Sequence, residues 1–551
     1  MSYEKFLNDL PPVEDWGERI YTRPEFEYPE ELNAAAELLD RNVAEGRGAR
    51  PAIYYKDLVI PYGELLAGVN KMGNALKKLG IQPGDRVMMR FPNNPTAVAV
   101  WLATLKIGGV AVMIMTMLRS REISYRANDA ECKLVIADAA SFEEVDKAAP
   151  AMTTVEKILV TDGSYGTYPS FESLWKNEPI TLAPAKLSRH DLSLIGYTSG
   201  STGDAKGTVH FQDDVLAIAD GYARNILRPA ENDIFTGHPP LAFTFGLGGL
   251  LIFPFRFGAS VVLLDQFTPE NMLKTISHYK ATISFCAPTC YKLMMRLDEN
   301  NDYDLSHLRL GVSAGETLPK QTYEQWKAKY GIDLLDGIGS TEMLHIFVTN
   351  RPGDIRAGAT GKAVPGYEAK VVSEEGLPLP PNTPGLLAVK GPTACRYWKK
   401  PDRQKGYVMS IGGPEESRDA GWNIPGDVFM MDDAGYFYYQ CRNDDLIITG
   451  GYNVSPPELE SVINEHPAVK ESAVVPAPDE LRGAIVKAYV VLKPGEVGTP
   501  ELAKELQDFV KRELAPYKYP RAIEFIDALP RTDTGKVQRY VLRDRAKMET
   551  A

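Results

Sequence analysis

The chain has 551 residues, with 61 Lys+Arg against 73 Asp+Glu, a formal net charge of −12, 44% hydrophobic and 24% charged residues. Those figures exclude long-range disorder, a collagen-like repeat and a disulfide scaffold, and they predict more than one globular domain. The acidic surplus argues against a general nucleic-acid-binding surface, which needs clustered Lys and Arg to neutralise phosphates. In chain order, the N-terminal MSYEKFLNDLPPVEDW lacks the apolar core of a signal peptide. DRVMMRF (85–91) predicts a strand, and PTAVAVWLATLKIG a helix that stops at its glycine. An apolar strand is expected over 192–197, and further strands at ASVVLL (259–264) and ATISFCAP (281–288), with PENMLKTISHY a helix between these two. Short strands alternating with amphipathic helices predict α/β architecture.

GLPLPPNTPG (376–385) reads as a loop joining strands of a smaller β-rich portion. A domain boundary is expected within 441–460, where a charged tetrapeptide interrupts two hydrophobic stretches. Ser455, Pro456 and Glu458 then start a helix as N-cap, first-turn proline and capping-box acid. AIVKAYVVL, ELAKELQDFVKREL, AIEFI and a final basic helix complete a mixed domain of roughly a hundred residues. The resulting division is an N-terminal domain over 1–441, a hinge at 442–445 and a C-terminal domain over 446–551. The longest uncharged run, inside 238–256, is broken by prolines and glycines, so no membrane span is expected.

Five scattered cysteines (Cys132, Cys286, Cys290, Cys395 and Cys441) form no CxxC pair, and seven histidines show no metal-ligand spacing. A reduced, cytoplasmic protein is expected. Cys286 and Cys290, in the apolar ISFCAPTCYKLMM, read as packing. The segment 511–547 carries 10 basic and 5 acidic residues, an excess that suits either a polyanionic small molecule or a solvated helix face.

The strongest local signal is YTSGSTGDAKGTVH (197–210). Its glycines, hydroxyls and Lys206 can surround phosphate oxygens through backbone N–H groups and one positive charge. A Walker P-loop requires Gly before the lysine and Ser or Thr after it. Ala205 and Gly207 stand there instead, so that motif is excluded. With DGIGSTE (336–342), GDVFMMDDAGYFYYQCRNDD (426–445) and LPRTDTGKVQR (529–539), this loop resembles the adenylate-forming enzymes: acyl-CoA synthetases, amino-acid-activating domains and luciferases. One such segment alone is weak evidence; four in the family's order and spacing are specific.

The resemblance implies a large α/β N-terminal domain with a small β-rich portion, followed by a small mobile α+β C-terminal domain. It also implies two half-reactions. A carboxylate attacks the α-phosphorus of ATP to give an acyl-adenylate and pyrophosphate; the thiol of coenzyme A then displaces AMP. By the same resemblance, Thr198, Ser199, Gly200, Ser201, Thr202, Gly203 and Lys206 hold phosphates. Thr341 touches the α-phosphate, and Glu342 binds Mg²⁺ with the phosphates. Gly315 and Glu316, after Ala314, together with Asp336, Gly337 and Ile338, approach the adenine side, and Asp427 and Arg442 the ribose. Lys536 bridges carboxylate and α-phosphate during adenylation, whereas Gly450, Gly451 and Tyr452 serve thiolation after rotation about Asp444. Arg482 and Lys511 are implied contacts of coenzyme A. Each has a bland rival in a turn, a surface ion pair or a solvated charge, and it is their joint occurrence that argues for function.

The segments 33–48 and 336–347 resemble the benzoate-CoA ligase branch, and PPLAFTFGLGGL (239–250) and MTMLRSREISY (115–125) the 2-aminobenzoate-CoA ligases. Phe243, Phe245, Gly246, Ile338, Gly339 and His345 then line the acyl pocket, which suits a compact hydrophobic acid. His345 is read either as a hydrogen-bonding group for the acid or as a packed histidine. Pro425 stands where a threonine is common, and Ala205 where a proline is. The partners expected are a small carboxylate, ATP and coenzyme A; an oligomer is possible. The alternatives are a medium-chain, branched or alicyclic acyl-CoA synthetase, transfer to a carrier protein or an oxidation, and a nucleotide-binding relative without catalysis. Retention of Lys206, Glu342, Asp427, Arg442 and Lys536 argues against the last.

Overall fold

The computed structural model describes residues 6, 8–198, 205–264, 266–413, 418–449, 452–479, 483–514, 518–531 and 537–550, with backbone alone at 444, 448, 452, 453, 483 and 550. The chain forms two compact units. One is Met1–Lys370 with Ala388–Pro425; the other is Val371–Leu387 with Gly426–Ala551. The expected hinge at 442–445 therefore falls inside the second unit, whose first hairpin is Asp427–Met431 with Phe437–Arg442.

The first unit is built on two largely parallel sheets. A hairpin of β1 (Pro51–Tyr55) and β2 (Leu58–Pro61) comes first. One sheet then uses β3 (Arg86–Arg90), β4 (Val110–Ile114), β5 (Cys132–Asp138), β6 (Lys157–Thr161), β7 (Leu192–Thr198) and β8 (Lys206–Phe211). Its order is β6-β5-β3-β4-β7-β8, parallel except for the antiparallel β7–β8 pair. Val87, Met88 and Met89 are all buried, the continuous apolar run expected of a parallel strand covered on both faces. Pro95–Lys106, capped by the Asn94 side chain, supplies one covering helix.

The second sheet uses β9 (Ile234–Gly237), β10 (Ser260–Val262), β11 (Ile283–Cys286), β12 (Leu310–Ser313), β13 (Asp333–Gly339), β14 (Ile346–Thr349) and β15 (Lys362–Ala363). Its order is β15-β14-β13-β12-β11-β9-β10-β1-β2. From β13 to β1 every ladder is parallel. The carboxyl ends of β9, β11, β12 and β13 therefore leave the sheet on the same side, carrying His238, Ala287, Ala314 and Ser340 into their loops. Loops gathered at that edge are where open α/β sheets bind ligands. The helix expected between two of these strands is present as Pro269–Tyr279, capped by Thr268.

In the second unit, Val469–Asp479 pairs antiparallel with Gly483–Leu492, and that strand pairs in parallel with Ala522–Phe525. Val474, Val486, Ala488 and Val490 pack with Leu459, Ile463, Leu506 and Val510 of the helices Pro456–Glu465 and Pro500–Glu513. The intervening Ala473, Val475, Ala477, Tyr489 and Val491 pack with Leu542 and Ala546 of Arg539–Thr550. Strict alternation along the strands thus divides one small sheet into two cores. Pro-rich 376–385 runs between the strands Glu368–Val372 and Gly385–Lys390, as expected.

Ser455 caps Pro456–Glu465 by accepting the Glu458 N–H at 3.5 Å, and its hydroxyl donates to the Gln440 carbonyl. The expected reciprocal bond of a capping box is not made. Glu458 instead accepts from Lys518 at 2.6 and 2.7 Å, since two charge-assisted bonds outweigh one to a backbone N–H. Ser455→Ala should remove about 1 kcal/mol from this helix end, the usual cost of a lost cap. Native-state hydrogen exchange should show the Glu458 and Leu459 amides exchanging about fivefold faster; unchanged protection would refute the cap.

Candidate active site

The strand β8 alternates, so Lys206, Thr208 and His210 share a face. The segment 396–398 lies alongside it: Val209 N–H donates to Arg396 O, Trp398 N–H donates to Gly207 O, and Thr208 forms a bridge with Tyr397. This pairing places the Tyr397 ring 5.5 Å from Lys206 Nζ, within cation–π range. The Tyr397 hydroxyl donates to Glu342 Oε1 at 2.7 Å. Burial and the facing Glu342 carboxylate hold that phenol well above its ordinary range, so it stays a donor. Lys206, Tyr397 and Glu342 are thereby brought together across 136 residues of chain from Lys206 to Glu342.

The turn carrying Thr341 and Glu342 is pinned from several sides. Thr341 O accepts from Leu344 N–H at 3.1 Å and from His210 Nε2 at 2.8 Å, which fixes the proton of that imidazole on Nε2. Ser340 Oγ accepts the Met343 N–H, and Thr393 Oγ1 donates to Met343 O. Leu344 has φ of 67°, a left-handed conformation uncommon outside glycine. Gly196 of β7 lets this turn come close, since a Cβ there would lie 2.8 Å from Thr341 Cγ2.

Behind His210, Asp214 Oδ2 lies 3.8 Å from Nδ1. Asp214 also accepts from Arg396 at 2.9 Å, from Arg19 at 3.3 Å and from the Phe211 N–H at 2.8 Å. Burial opposes its ionisation, but the Arg396 and Arg19 charges more than offset this and hold its carboxyl well below the carboxylate range. The run Arg396–Asp214–His210–Thr341 thus fixes the Thr341–Glu342 turn from within.

The expected phosphate residues Thr198 and Lys206 are the last register pair of β7 and β8. Ser199, Gly200, Ser201, Thr202 and Gly203 between them lie outside the described residues. After β12, Ala314 is buried, Gly315 is exposed, and Glu316 Oε2 accepts from Thr289 Oγ1 at 2.7 Å. Gly337 and Ile338 pair with Thr349 and Val348 inside the sheet. The Asp336 carboxyl is buried; burial raises it well above the carboxylate range, against the pull of the Gly337 and Leu318 backbone.

Phe245 follows Phe243 in the short helix Thr244–Leu247, 5.4 Å from the Phe285 ring and 6.0 Å from His345. His345 is enclosed by Phe253, Tyr222, Phe245 and Phe285, at 4.6, 5.4, 6.0 and 6.4 Å. Gly248 makes room for it, as a Cβ there would lie 2.4 Å from His345 Cδ2. Gly246 and Gly339 back onto the carbonyls of Pro240 and His345. Neither His345 ring nitrogen has a side-chain hydrogen-bond partner among the described residues, and burial, opposed by the Phe245 backbone, pushes the imidazole down to about 3, keeping it neutral.

In the second unit Asp427 and Arg442 face each other across the first hairpin, with Arg442 Nη1 donating to Asp427 Oδ1 at 3.3 Å. Lys511 pairs with Asp508 at 3.2 Å and lies over the Tyr519 ring at 4.2 Å. Asp444 is in the turn Asn443–Asp445, and Tyr452 starts the strand Tyr452–Val454; both side chains are outside the description. Gly450, Gly451, Arg482 and Lys536 lie outside the described residues altogether. Sequence reading missed Tyr397, His210, Asp214 and Arg396. The one available signal was RYW at 396–398, an arginine followed by two aromatic residues, and nothing in its spacing links it to Glu342.

Comparison with known families matches the AMP-binding enzymes over residues 39–398 and the AMP-binding enzyme C-terminal domain over 458–536. The chain belongs to the AMP-binding enzymes. It is 37% identical to a benzoate–CoA ligase from Thauera aromatica, over 95% of this chain and 98% of that protein. Among solved structures it is similar to an anthranilate CoA ligase in complex with anthranoyl-AMP, with TM-score 0.87, 36% identity and coverage of 96% and 100% of the two chains. A benzoate CoA ligase from Burkholderia xenovorans LB400 aligns at TM-score 0.79 and 33% identity, over 93% and 100%. This AMP-binding enzyme is an AMP-forming acyl-CoA ligase. No described helix is long and apolar enough to cross a membrane.

Two outcomes follow for the AMP-binding enzyme. Tyr397→Phe removes a hydrogen bond to a charged carboxylate, worth about 1.5–3 kcal/mol. ATP–pyrophosphate exchange should fall about 10- to 150-fold with the fold intact; an unchanged rate would exclude the role of Tyr397. His345 titrates at about 3 when folded against 6.5 when not. The unfolded chain therefore takes up the proton first, and stability declines as pH falls from 6.5 toward 3. At pH 5 the loss should be about 2 kcal/mol, read from urea midpoints, and His345→Phe should abolish this component.

Proposed function

We propose that this enzyme joins an aromatic carboxylate of the benzoate or 2-aminobenzoate type to coenzyme A through an acyl-adenylate, releasing AMP and pyrophosphate. The observation that carries the reading is the neutral imidazole of His345, without a side-chain hydrogen-bond partner among the described residues and enclosed by aromatic rings at the carboxyl-end loops of the second sheet. The acyl-side residues Phe243, Phe245, Gly246, Ile338 and Gly339 carry no charge, so they favour a flat apolar acid over a charged one. A neutral imidazole offers one donor and one acceptor, and an ortho amino or hydroxyl substituent can use them. The benzoate and anthranilate ligases among the relatives support the same class.

In the first half-reaction two anions must meet. Lys206 would contribute positive charge to the phosphates, and Thr341, whose carbonyl accepts from His210, would touch the α-phosphate. Glu342 fits a hard cation: Tyr397 occupies Oε1, and Oε2 has no hydrogen bond among the described residues. Mg²⁺ held there with the phosphates would neutralise oxygen charge. Asp427 and Arg442 would hold the ribose hydroxyls, and Lys536 would bridge carboxylate and α-phosphate oxygens. In the second half-reaction the Gly450–Gly451–Tyr452 segment would admit the pantetheine thiol, with Asp444 as the hinge between the two roles.

Lys536→Ala should abolish adenylation yet leave thioester formation from supplied acyl-adenylate largely intact. Equal loss in both half-reactions would contradict the division of labour. The acid is tested by CoA-dependent AMP release with benzoate, 2-aminobenzoate, hexanoate and cyclohexanecarboxylate. The two aromatic acids should lead in kcat/KM, and a lead for either other acid would overturn the aromatic reading. His345→Leu should lower kcat/KM for 2-aminobenzoate about tenfold more than for benzoate, the worth of one hydrogen bond; equal losses would assign His345 to packing alone.

A further inference from the structure

His238 leaves the carboxyl end of β9, Cys286 closes β11, and Cys290 sits in the first turn of the helix Pro288–Leu297. A ring nitrogen of His238 and the sulfurs of Cys286 and Cys290 all lie within 4.8 Å of one another. Both sulfurs are buried, with their residues 0% and 4% exposed. His238 Nδ1 is itself buried and has no hydrogen-bond partner among the described residues. Two further contacts fix the histidine. Its N–H donates to Phe285 O at 3.2 Å, holding it beside the end of β11, and the Phe267 ring lies 4.5 Å from the imidazole. The neighbouring Tyr291 hydroxyl reaches the Ser284 and Val312 carbonyls and also interacts with Cys286.

We propose that His238, Cys286 and Cys290 form a binding site for a thiophilic divalent cation, Zn²⁺, separate from the oxygen-donor position at Glu342. A tetrahedral zinc ion with bonds of about 2.3 Å to sulfur and 2.0–2.1 Å to nitrogen needs ligand atoms about 3.5–3.8 Å apart. The cluster reaches this by closing at most about 1.3 Å from its 4.8 Å limit. Two thiolates and an imidazole select zinc over magnesium, whereas the Glu342 carboxylate does the reverse. Each cysteine binds as the thiolate and releases its proton to solvent. The fourth position stays open to water or to an added ligand. The site touches both substrate loops: Asn93 holds Pro239 O and the Leu241 N–H just after His238, and Thr289, beside Cys290, holds Glu316.

The test is titration of reduced, chelator-stripped full-length enzyme with Co²⁺, followed by Zn²⁺. One Co²⁺ per chain should bind with a thiolate-to-cobalt charge-transfer band and tetrahedral d–d bands, and Zn²⁺ should abolish both. His238→Gln and Cys290→Ser should each weaken binding at least about tenfold. Cys132→Ser, at a buried cysteine outside the cluster, should change nothing. Thermal melts of the metal-free variants establish that they are folded; should Cys290→Ser not fold, His238→Gln decides. Absence of the charge-transfer band, or a band of full strength in folded His238→Gln, would overturn the site.

Discussion

Glu342 is a nearly buried carboxylate, and Tyr397 and Lys206 are arranged around it. Removing such a charge from water costs several kcal/mol unless hydrogen bonds and opposite charge replace the lost hydration. Here one oxygen receives the Tyr397 hydroxyl, and Lys206 lies on the ring of that tyrosine. The arrangement supplies partial compensation and leaves the other oxygen for a cation.

The same logic recurs one layer deeper with the opposite aim. Asp214 is fully satisfied by two arginines and a backbone N–H, so it serves as a fixed anchor for His210 and through it for the Thr341 turn. A saturated network of this kind is rigid, because breaking any member leaves a buried charge unpaired. The site therefore combines an unsaturated carboxylate at the reacting side with a saturated one behind it. His345 is a third case: a polar group kept neutral by burial and without a side-chain hydrogen-bond partner among the described residues.

The parallel ladders of the second sheet decide which loops meet. Because β9, β11, β12 and β13 run the same way, the segments after Gly237, Cys286, Ser313 and Gly339 emerge together although they span a hundred residues. The loops after Gly237 and Ser313 and the Thr341–Glu342 turn are brought to one edge for that reason. The His238–Cys286–Cys290 cluster is a by-product of the same geometry, which is why no sequence spacing announced it.

Much of this was legible in the sequence. Strand-length apolar runs such as VMM in β3, the Pro269–Tyr279 helix with its threonine cap, and the glycine- and hydroxyl-rich segment after β7 follow from local periodicity and side-chain chemistry, which depend on neighbours a few residues away. So did the pairing of Asp427 with Arg442, which a short hairpin enforces. The roles of Tyr397, Arg396 and Asp214 were not legible, since each meets its partner through an edge pairing or a buried ion pair across at least 55 residues, except the local Asp214–His210 contact. The Glu458 capping bond failed for a related reason: a distant lysine offered a stronger partner than the local N–H. Sequence by itself determined many of the elements and the family. Tertiary structure alone decided which charges are compensated and which are left open, because compensation depends on through-space distance and on exclusion of water, and neither is encoded in spacing along the chain.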